Sequence, residues 1–428
     1  MQQFDVIVIG AGPGGMDAAK CAIAAGRSVA VVERDLLGGT CLNRGCIPTK
    51  ALCHWADLVR ELPGAVDWTT AMERKNAVVD ELRGNVETVL SKATIVRGEA
   101  RFVDAHTVSV GGDRLTAPTI VIATGSRPAS LSIPGAEFAL SSDDILSLQK
   151  LPQSICVIGG GVIGVELACI LHDFGVEVTV VEYCKEILPN FDREVAKRLR
   201  TSLSRRGINI VVGAKVTAIT DGGRRVCYEA KGKELSVEAM CTLMAVGRCP
   251  VLPDGLDAAG VAVGNRGAIT VDPATMQTSA EGVYAVGDVN ALTMLAHVAS
   301  AQAATVFGRH VNLDVVPAAV FSSPECSMVG LTEEQCTERG LNFKVAKAMF
   351  RGNGKALSMG QPDGLVKLIA DADTRRLLGA HICGAHAADL IQELALCIAR
   401  NLTVDAITDT IHAHPTLSEV VLAAARQL

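Results

Sequence analysis

The sequence is poor in aromatic residues, in positive charge and in long apolar runs. Aromatic side chains make up 3% of the 428 residues and the formal net charge is -6. The chain therefore lacks the basic surface and the stacking groups that bind nucleic acid. It also has no apolar run long enough to span a bilayer, and no charged-then-apolar leader precedes the first predicted strand. We expect a cytoplasmic protein with neither a nucleic-acid nor a membrane partner.

The sequence also lacks the cysteine pattern of a protein held together by several structural disulfides. The 14 cysteines are scattered through apolar segments, which fits a reducing compartment better than a small disulfide-rich protein. Apolar residues make up 49% of the chain, mainly as Ala, Val, Leu and Ile. This composition is typical of α/β proteins with buried parallel strands. A chain of this length holds about two to four domains.

A strand, a glycine-rich turn, a helix and a second strand occur twice. The first copy ends at Glu33 and the second at Glu182, which is 149 positions later (182 - 33), and the glycines are separated by the same interval. In a dinucleotide-binding unit the glycines allow a tight turn, close approach of a pyrophosphate and helix packing, and the acid accepts a ribose hydroxyl. The candidate residues are Gly10, Gly12, Gly15 and Glu33 in the first copy and Gly159, Gly161, Gly164 and Glu182 in the second.

Two such copies imply two nucleotides. Two cysteines follow the first copy at once, so a cofactor there has to pass electrons to a disulfide, a task that flavin fits. In the second copy Glu182 would repel a 2′-phosphate, which favours NAD over NADP. The alternatives are a glycine-rich turn that only allows close packing, and a Glu182 that only ends a strand at the surface.

Cys41 and Cys46 lie five positions apart. A disulfide needs Cα atoms about 4.4–6.8 Å apart, which neither a helix nor an extended strand gives at this spacing, so the chain must bend, and Gly45 permits the bend. Pro48 predicts a helix that starts near Cys46, whose dipole, together with Lys50, would stabilise a thiolate. Two unreactive thiols are the alternative. A zinc site fits the spacing poorly, and we expect no metal.

Near the end of the chain, His412, His414 and Pro415 precede Glu419. Pro415 predicts a helix start with His414 at the N-cap and Glu419 in the second turn. A carboxylate there can fix the imidazole tautomer and keep the ring basic enough to take a thiol proton. A surface histidine is the alternative, but dithiol oxidation needs a base, which favours the functional interpretation.

These segments strongly resemble the flavin-dependent pyridine nucleotide-disulfide oxidoreductases, and the resemblance runs through the whole chain. Its most specific parts are 40–43 and 414–419; the others are 38–39, 44–50, 123–125, 159–166, 245–248, 285–288, 294–297 and 412–413. The resemblance implies an α/β fold with two Rossmann-like dinucleotide-binding domains, for FAD and NAD, and a C-terminal α+β dimerisation domain. We expect FAD-binding parts at 1–145 and 263–313, an NAD-binding domain at 146–262 and the interface domain at 314–428.

The resemblance also implies a role for each candidate residue. Cys41 would exchange with the substrate dithiol, and Cys46 would contact the flavin. Lys50 and Glu166 would pair near the flavin. His414, oriented by Glu419, would be the base and would reach the disulfide of the other subunit of a homodimer. Further contacts to the cofactors are implied for Gly39, Thr40, Lys50, Thr124, Gly125, Gly247 and Asp288.

The implied substrate is a protein-bound dihydrolipoyl group, oxidised with NAD+ on the lipoyl domain of a 2-oxo acid dehydrogenase or glycine-cleavage complex. Two features depart from the family pattern: Arg44 stands where relatives usually carry an apolar residue, and the chain is shorter between Lys50 and Thr94. The alternatives are an NADH-dependent reductase of another disulfide and a catalytically quiet FAD-binding scaffold or redox sensor.

Overall fold

The computed structural model describes residues 1–265 and 267–428. Within these ranges the strands are β1 Gln2–Gln3, β2 Val6–Ile9, β3 Val29–Glu33, β4 Thr94–Arg97, β5 Ala100–Asp104, β6 Thr107–Val110, β7 Asp113–Thr116, β8 Thr119–Ile122, β9 Ser126–Pro128, β10 Ser154–Ile158, β11 Glu177–Glu182, β12 Asn209–Val212, β13 Ala214–Thr220, β14 Arg225–Ala230, β15 Lys233–Glu238, β16 Cys241–Met244, β17 Arg248–Pro250, β18 Val283–Ala285, β19 Ala318–Val320, β20 Cys326–Gly330, β21 Phe343–Met349, β22 Leu365–Asp371 and β23 Leu377–Cys383. The α-helices are α1 Pro13–Ala24, α2 Gly39–Arg44, α3 Cys46–Glu61, α4 Trp68–Val89, α5 Ser142–Ile145, α6 Val162–Asp173, α7 Arg193–Arg206, α8 Ala296–Val306, α9 Glu333–Glu338, α10 Gly354–Ser358, α11 Ala387–Ala399, α12 Asp405–Thr408 and α13 Ser418–Ala425. None of these helices is both long and apolar enough to cross a membrane.

The chain divides into two compact units, each made of three segments. The first unit consists of Met1–Ala51, Thr69–Ala129 and Arg248–Leu313. The second consists of Leu52–Trp68, Ser130–Gly247 and Asp314–Leu428. The predicted domain bounds are finer than this division and stay a prediction.

The first unit is built on a five-stranded parallel sheet with the order β18-β8-β2-β3-β4. Strand β2 is apolar along its whole length and buried, as expected for a parallel strand covered on both faces. Helix α1 packs against α8 and against the sheet. A smaller sheet, β1-β7-β6-β5, belongs to the same unit. The glycine turn after β2 therefore lies at the carboxyl edge of the parallel sheet, where such folds bind ligands.

The second unit contains a four-stranded parallel sheet with the order β12-β11-β10-β16. It also contains a three-stranded antiparallel sheet, β13-β14-β15, and a five-stranded antiparallel sheet, β19-β20-β23-β22-β21. Helices α11 and α13 pack on the five-stranded sheet and bury its apolar face. The predicted α/β class with an α+β C-terminal part is confirmed. Strands β22 and β23 form a hairpin, and helix α11 follows it.

The sequence duplication extends to strand register and helix length. Val6 pairs with Val29 in the first unit, and Ile155 pairs with Val178 in the second, so corresponding strands pair in the same register. Helices α1 and α6 both have 12 residues. The two copies are therefore the same βαβ unit built twice.

The predicted helix start at Pro415 is wrong. Helix α13 begins at Ser418. The preceding residues form a turn in which the Thr416 hydroxyl donates to the carbonyl of Ala413 at 2.7 Å and the Thr416 N–H donates to Glu419 Oε2 at 2.9 Å. Because side chains hold this turn, the helix starts three residues later than the proline signal indicates, and Glu419 lies in its first turn.

Candidate active site

The glycines of the first copy lie where a side chain would not fit. Gly10 has a φ of +101°, and a Cβ there would lie 2.4 Å from the carbonyl oxygen of Ala123. A Cβ on Gly15 would lie 1.8 Å from the carbonyl oxygen of Gly10. Gly12 precedes α1 and provides no side-chain cap, so the N–H groups of the first helical turn are available to an anion. The turn fits a pyrophosphate.

The second copy has the same geometry. Gly159 has a φ of +106°, and a Cβ there would lie 2.4 Å from the carbonyl oxygen of Ala245. A Cβ on Gly164 would lie 2.0 Å from the carbonyl oxygen of Gly159. Gly161 precedes α6, and no atom of the described residues would lie within 4 Å of a Cβ built on it. This turn also fits a pyrophosphate, with open space in front of its middle glycine.

The acids at the ends of β3 and β11 are buried and are held by backbone N–H groups. Glu33 accepts hydrogen bonds from the N–H groups of Ala11 and Asp35 at 2.7 and 2.8 Å. Glu182 accepts the corresponding hydrogen bonds from the N–H groups of Gly160 and Cys184, at 2.5 and 2.6 Å. Each carboxylate oxygen keeps a second lone pair for a ribose hydroxyl. Both acids are therefore oriented for the role that the fingerprint predicts.

The two cysteines of the motif meet where α2 ends and α3 begins. Helix α2 stops at Gly45, where a Cβ would lie only 2.9 Å from the carbonyl oxygen of Thr40. Cys46 is the first residue of α3, so both the predicted bend and the predicted helix start are confirmed. Gly39 and Thr40 form the first turn of α2.

Cys41 and Cys46 are thiols in this structure, and they are coupled. A hydrogen bond to Cys46 and burial raise the pKa of the Cys41 thiol far above its ordinary value, and the charge of Lys50 acts in the opposite direction. The pair therefore gives up one proton much more readily than two. A single thiolate shared by two sulfur atoms is the form that thiol–disulfide exchange requires.

Arg44 forms an ion pair with Asp35 in the loop that follows Glu33. Its neighbour Asn43 accepts a hydrogen bond from Nε of Arg83 at 2.9 Å. The unusual arginine thus joins the cysteine-bearing helix α2 to the loop beside the predicted ribose-binding acid.

Asp288 is held by two side chains to which sequence reasoning gave no role. The Ser126 hydroxyl donates to the Asp288 carboxylate, and Nε of Arg248 donates to Ser126 Oγ at 2.7 Å. The Thr124 hydroxyl donates to the carbonyl of Val251 at 2.6 Å. Ser126 directly follows Gly125, whose φ is +70°. A polar residue after a glycine at the end of a buried strand is the signal that could have identified it.

Glu166 lies in α6 and is 3% exposed. Its Oε1 accepts a hydrogen bond from the N–H of Phe321 at 2.9 Å. Lys50 belongs to the first unit and Glu166 to the second, so their predicted pairing stays a prediction. Gly247 follows β16 with a φ of +113°.

His414 and Glu419 form the predicted pair, with 2.9 Å between Nδ1 and Oε1. The carboxylate accepts, so Nδ1 carries the hydrogen and Nε2 is left with a lone pair that can take a proton. The hydrogen bond from His414 lowers the pKa of Glu419, which keeps the carboxylate ionised. The His414 side chain is 79% exposed.

Two dinucleotide-binding folds, a coupled dithiol at the head of a helix and a histidine–carboxylate pair together define an oxidoreductase that exchanges disulfides. The chain belongs to the pyridine nucleotide-disulphide oxidoreductase family, whose pattern matches residues 4–303, while the dimerisation domain of the same family matches residues 316–425. The predicted family is therefore confirmed, and the second match supports the predicted homodimer. Enzymes of this family use FAD and NAD(H), which agrees with the predicted cofactors.

Known relatives cover nearly the whole chain. The dihydrolipoyl dehydrogenase of Thermus scotoductus is 40% identical over 452 residues, which include 100% of this chain and 98% of the relative. The dihydrolipoyl dehydrogenase of Chlamydia pneumoniae is 38% identical over 98% of this chain and 95% of the relative. Among solved structures, the HOCl-induced flavoprotein disulfide reductase RclA from Escherichia coli, as its Cu(II) complex, matches with a TM-score of 0.91 at 30% identity and covers 100% of both chains.

Proposed function

We propose that this protein is an NAD-dependent dihydrolipoyl dehydrogenase, which oxidises protein-bound dihydrolipoyl groups. The observation that carries the reaction type is the coupled pair of Cys41 and Cys46 at the start of α3, under the influence of Lys50. The substrate is supported by the similarity, over nearly the full length, to dihydrolipoyl dehydrogenases of several bacteria.

The glycine turns and acids described above would hold the two cofactors. FAD would bind at the first copy with its ribose on Glu33, where Asp288 and Thr124 would also contribute. NAD would bind at the second copy with its ribose on Glu182, because a carboxylate repels the 2′-phosphate of NADP. When bound, FAD takes two electrons from the dithiol and passes them to NAD+.

The side chains of the protein carry out the exchange. Nε2 of His414 takes a proton from one substrate thiol, and the resulting thiolate attacks the sulfur of Cys41. The Cys41–Cys46 bond breaks, and Cys46 leaves as the thiolate. The second substrate thiol loses its proton and attacks the substrate sulfur of the mixed disulfide, which closes the lipoyl ring and releases Cys41. The substrate is oxidised by two electrons, and the disulfide of the enzyme is reduced.

The raised pKa of Cys41 fits this division of roles. The thiol of lower pKa is the better leaving group, so attack on Cys41 expels Cys46 as the thiolate. Cys41, whose pKa is high, takes up the proton of the second substrate thiol when it is released. In the proposed homodimer, His414 serves the disulfide of the other subunit. The partner would be the lipoyl domain of a cytoplasmic 2-oxo acid dehydrogenase or glycine-cleavage complex.

The test of the reaction is steady-state NADH oxidation by the FAD-loaded protein with lipoamide as acceptor. NADPH and glutathione disulfide serve as parallel controls. We expect turnover with NADH and lipoamide only. Turnover with another disulfide alone would favour a second candidate, a reductase of that disulfide, which the similarity to RclA supports.

The test of the base is His414→Gln. General base catalysis contributes about 10²–10⁴-fold, so we expect dithiol oxidation to slow by at least about 10²-fold while the FAD content stays unchanged. His310→Gln is the matched control, because His310 is an exposed histidine outside the proposed site. An equal loss of FAD and of activity in His414→Gln would contradict the assignment.

A further inference from the structure

His412 is a buried histidine whose protonation pattern is partly fixed by its surroundings. Its side chain is 5% exposed. Nδ1 lies 2.9 Å from the carbonyl oxygen of Thr410, and because a carbonyl only accepts, Nδ1 carries the hydrogen. Nε2 is also buried and has no hydrogen-bond partner within the described residues. It faces Glu393 Oε2 at 3.7 Å.

The facing atoms of this pair can coexist only with a proton between them. A neutral ring with hydrogen on Nδ1 presents a lone pair at Nε2. Glu393 Oε1 is buried as well and has no partner among the described residues. The Glu393 side chain as a whole is 38% exposed, but a lone pair at Nε2 opposite an ionised carboxylate oxygen is repulsive. The Glu393 carboxyl can supply this proton, because burial raises its pKa.

Two other titratable side chains, Cys397 and Glu419, interact with this pair. Burial raises the pKa of Glu393 and the charge of His412 opposes this rise. Cys397 lies one turn further along α11, and burial together with the charge of Glu393 raises the pKa of its thiol. On the side of α13, the carboxylate of Glu419 is influenced by both His412 and His414. The charged group that acts on Glu393 is His412, so His412 can compensate its charge.

We propose that Glu393 and His412 form a proton-holding pair that positions the segment carrying His414. This inference rests on the proposed function, because it treats His414 as the base. Glu393 lies on α11, and His412 lies on the non-helical segment between α12 and α13. The pair therefore connects a helix to an irregular segment. The link is attractive while the proton is held. Its contribution is therefore present at lower pH and is lost as the pH rises through the raised pKa of Glu393.

Hydrogen–deuterium exchange of the FAD-loaded protein tests the link without any substrate. A glutamine at position 393 can donate to the bare Nε2 and has no proton to lose, whereas an alanine cannot donate. We expect the amides of 410–416 in Glu393→Ala to exchange about tenfold faster than in the wild type at a pH where Glu393 of the wild type is protonated. In the wild type, protection should fall as the pH rises through the raised pKa of Glu393, and Glu393→Gln should keep its protection over the same range.

Two outcomes of this experiment would overturn the proposal. One is wild-type exchange in Glu393→Ala at every pH, and the other is the same loss of protection with rising pH in Glu393→Gln as in the wild type. Glu338→Gln is the matched control, since Glu338 is an exposed glutamate of α9. It should exchange like the wild type at every pH.

Activity measurements separate positioning from folding. Dihydrolipoamide oxidation requires His414, whereas NADH-dependent reduction of ferricyanide does not require the dithiol step. We expect Glu393→Ala to lose about tenfold of the first activity and little of the second. Equal loss of both would make Glu393 a merely structural residue. Absence of lipoamide activity in the wild type would refute the proposed function, and the exchange experiment would still decide the inference.

Discussion

The two dinucleotide-binding copies share one backbone frame but differ in what lies against the glycine turn. Gly39 and Leu188 stand at corresponding positions, 149 residues apart (188 - 39), and have φ values of +58° and +48°. A Cβ on Gly39 would lie 2.7 Å from the Cα of Gly12. In the second copy, Gly161 has open space before it, and Leu188 keeps a side chain that is 1% exposed.

The difference concerns the residue that follows each glycine turn, Gly39 in the first copy and Leu188 in the second. In the first copy the cysteine-bearing helix α2 starts directly on the pyrophosphate turn, so only glycine fits at position 39. In the second copy that space is open, and a leucine adopts the left-handed conformation at a cost of about 1 kcal/mol, which burial of its side chain offsets.

Substitution of the third glycine in each copy is the strongest test of the shared backbone geometry. In Gly15→Ala and Gly164→Ala the new methyl group would lie 1.8 and 2.0 Å from a backbone oxygen, so helix and strand must separate. We expect each variant to lose about 3 kcal/mol of unfolding free energy or more. Chemical denaturation of the FAD-loaded protein measures this loss. Similar losses in the two variants would support the common frame, and a neutral effect in one of them would contradict it.

The difference between the copies is tested by Gly39→Ala and Gly161→Ala. Alanine at position 39 must adopt a positive φ and approach Gly12, so we expect a large loss of bound FAD. Alanine at position 161 has a φ of about -75° and meets no described atom. We expect it to keep FAD and to raise the KM for NAD+ about tenfold, because the methyl group takes space needed by the pyrophosphate. Flavin absorbance and steady-state kinetics measure the two effects. Loss of FAD in Gly161→Ala would remove the distinction.

Much of this arrangement could be predicted because it depends on local rules. Local backbone geometry requires glycines at fixed spacing, an acid at the end of a strand and a bend between Cys41 and Cys46. These requirements can be recognised in the sequence because they select particular residue types at particular positions. The start of α13 was missed because Thr416 and Glu419 side chains hold a turn that competes with the proline signal.

Contacts between distant segments could not be predicted from the sequence. Ser126 and Arg248 converge on Asp288 although 122 positions separate the first two, and Glu393 meets His412 in the same way. No periodicity or spacing indicates which of many polar residues will meet across such intervals. These pairings follow from tertiary packing alone.

The smallest predicted effect concerns the ion pair of Arg44 and Asp35. This ion pair connects α2 to the loop after Glu33 and, among the described residues, has no counterpart in the second copy. Cys184 stands 149 positions after Asp35 (184 - 35), and its pKa is raised by burial and by a hydrogen bond to Glu182, so it stays a neutral thiol and cannot form such a pair. Both partners of the ion pair are largely exposed, at 41% and 52%, so we assign it at most about 1 kcal/mol.

We therefore expect Arg44→Val to release FAD up to about fivefold faster, with an unchanged KM for NAD+. The rise of flavin fluorescence after dilution measures the release rate. Arg44→Lys, which keeps the charge, is the matched control and should release FAD at nearly the wild-type rate. Because exposed ion pairs are screened by salt, the gap between valine and lysine should narrow at high ionic strength. Equal release rates in the two variants would contradict this expectation, as would a difference between their rates that does not depend on salt. Either result would show that Arg44 acts through packing and not through its ion pair with Asp35.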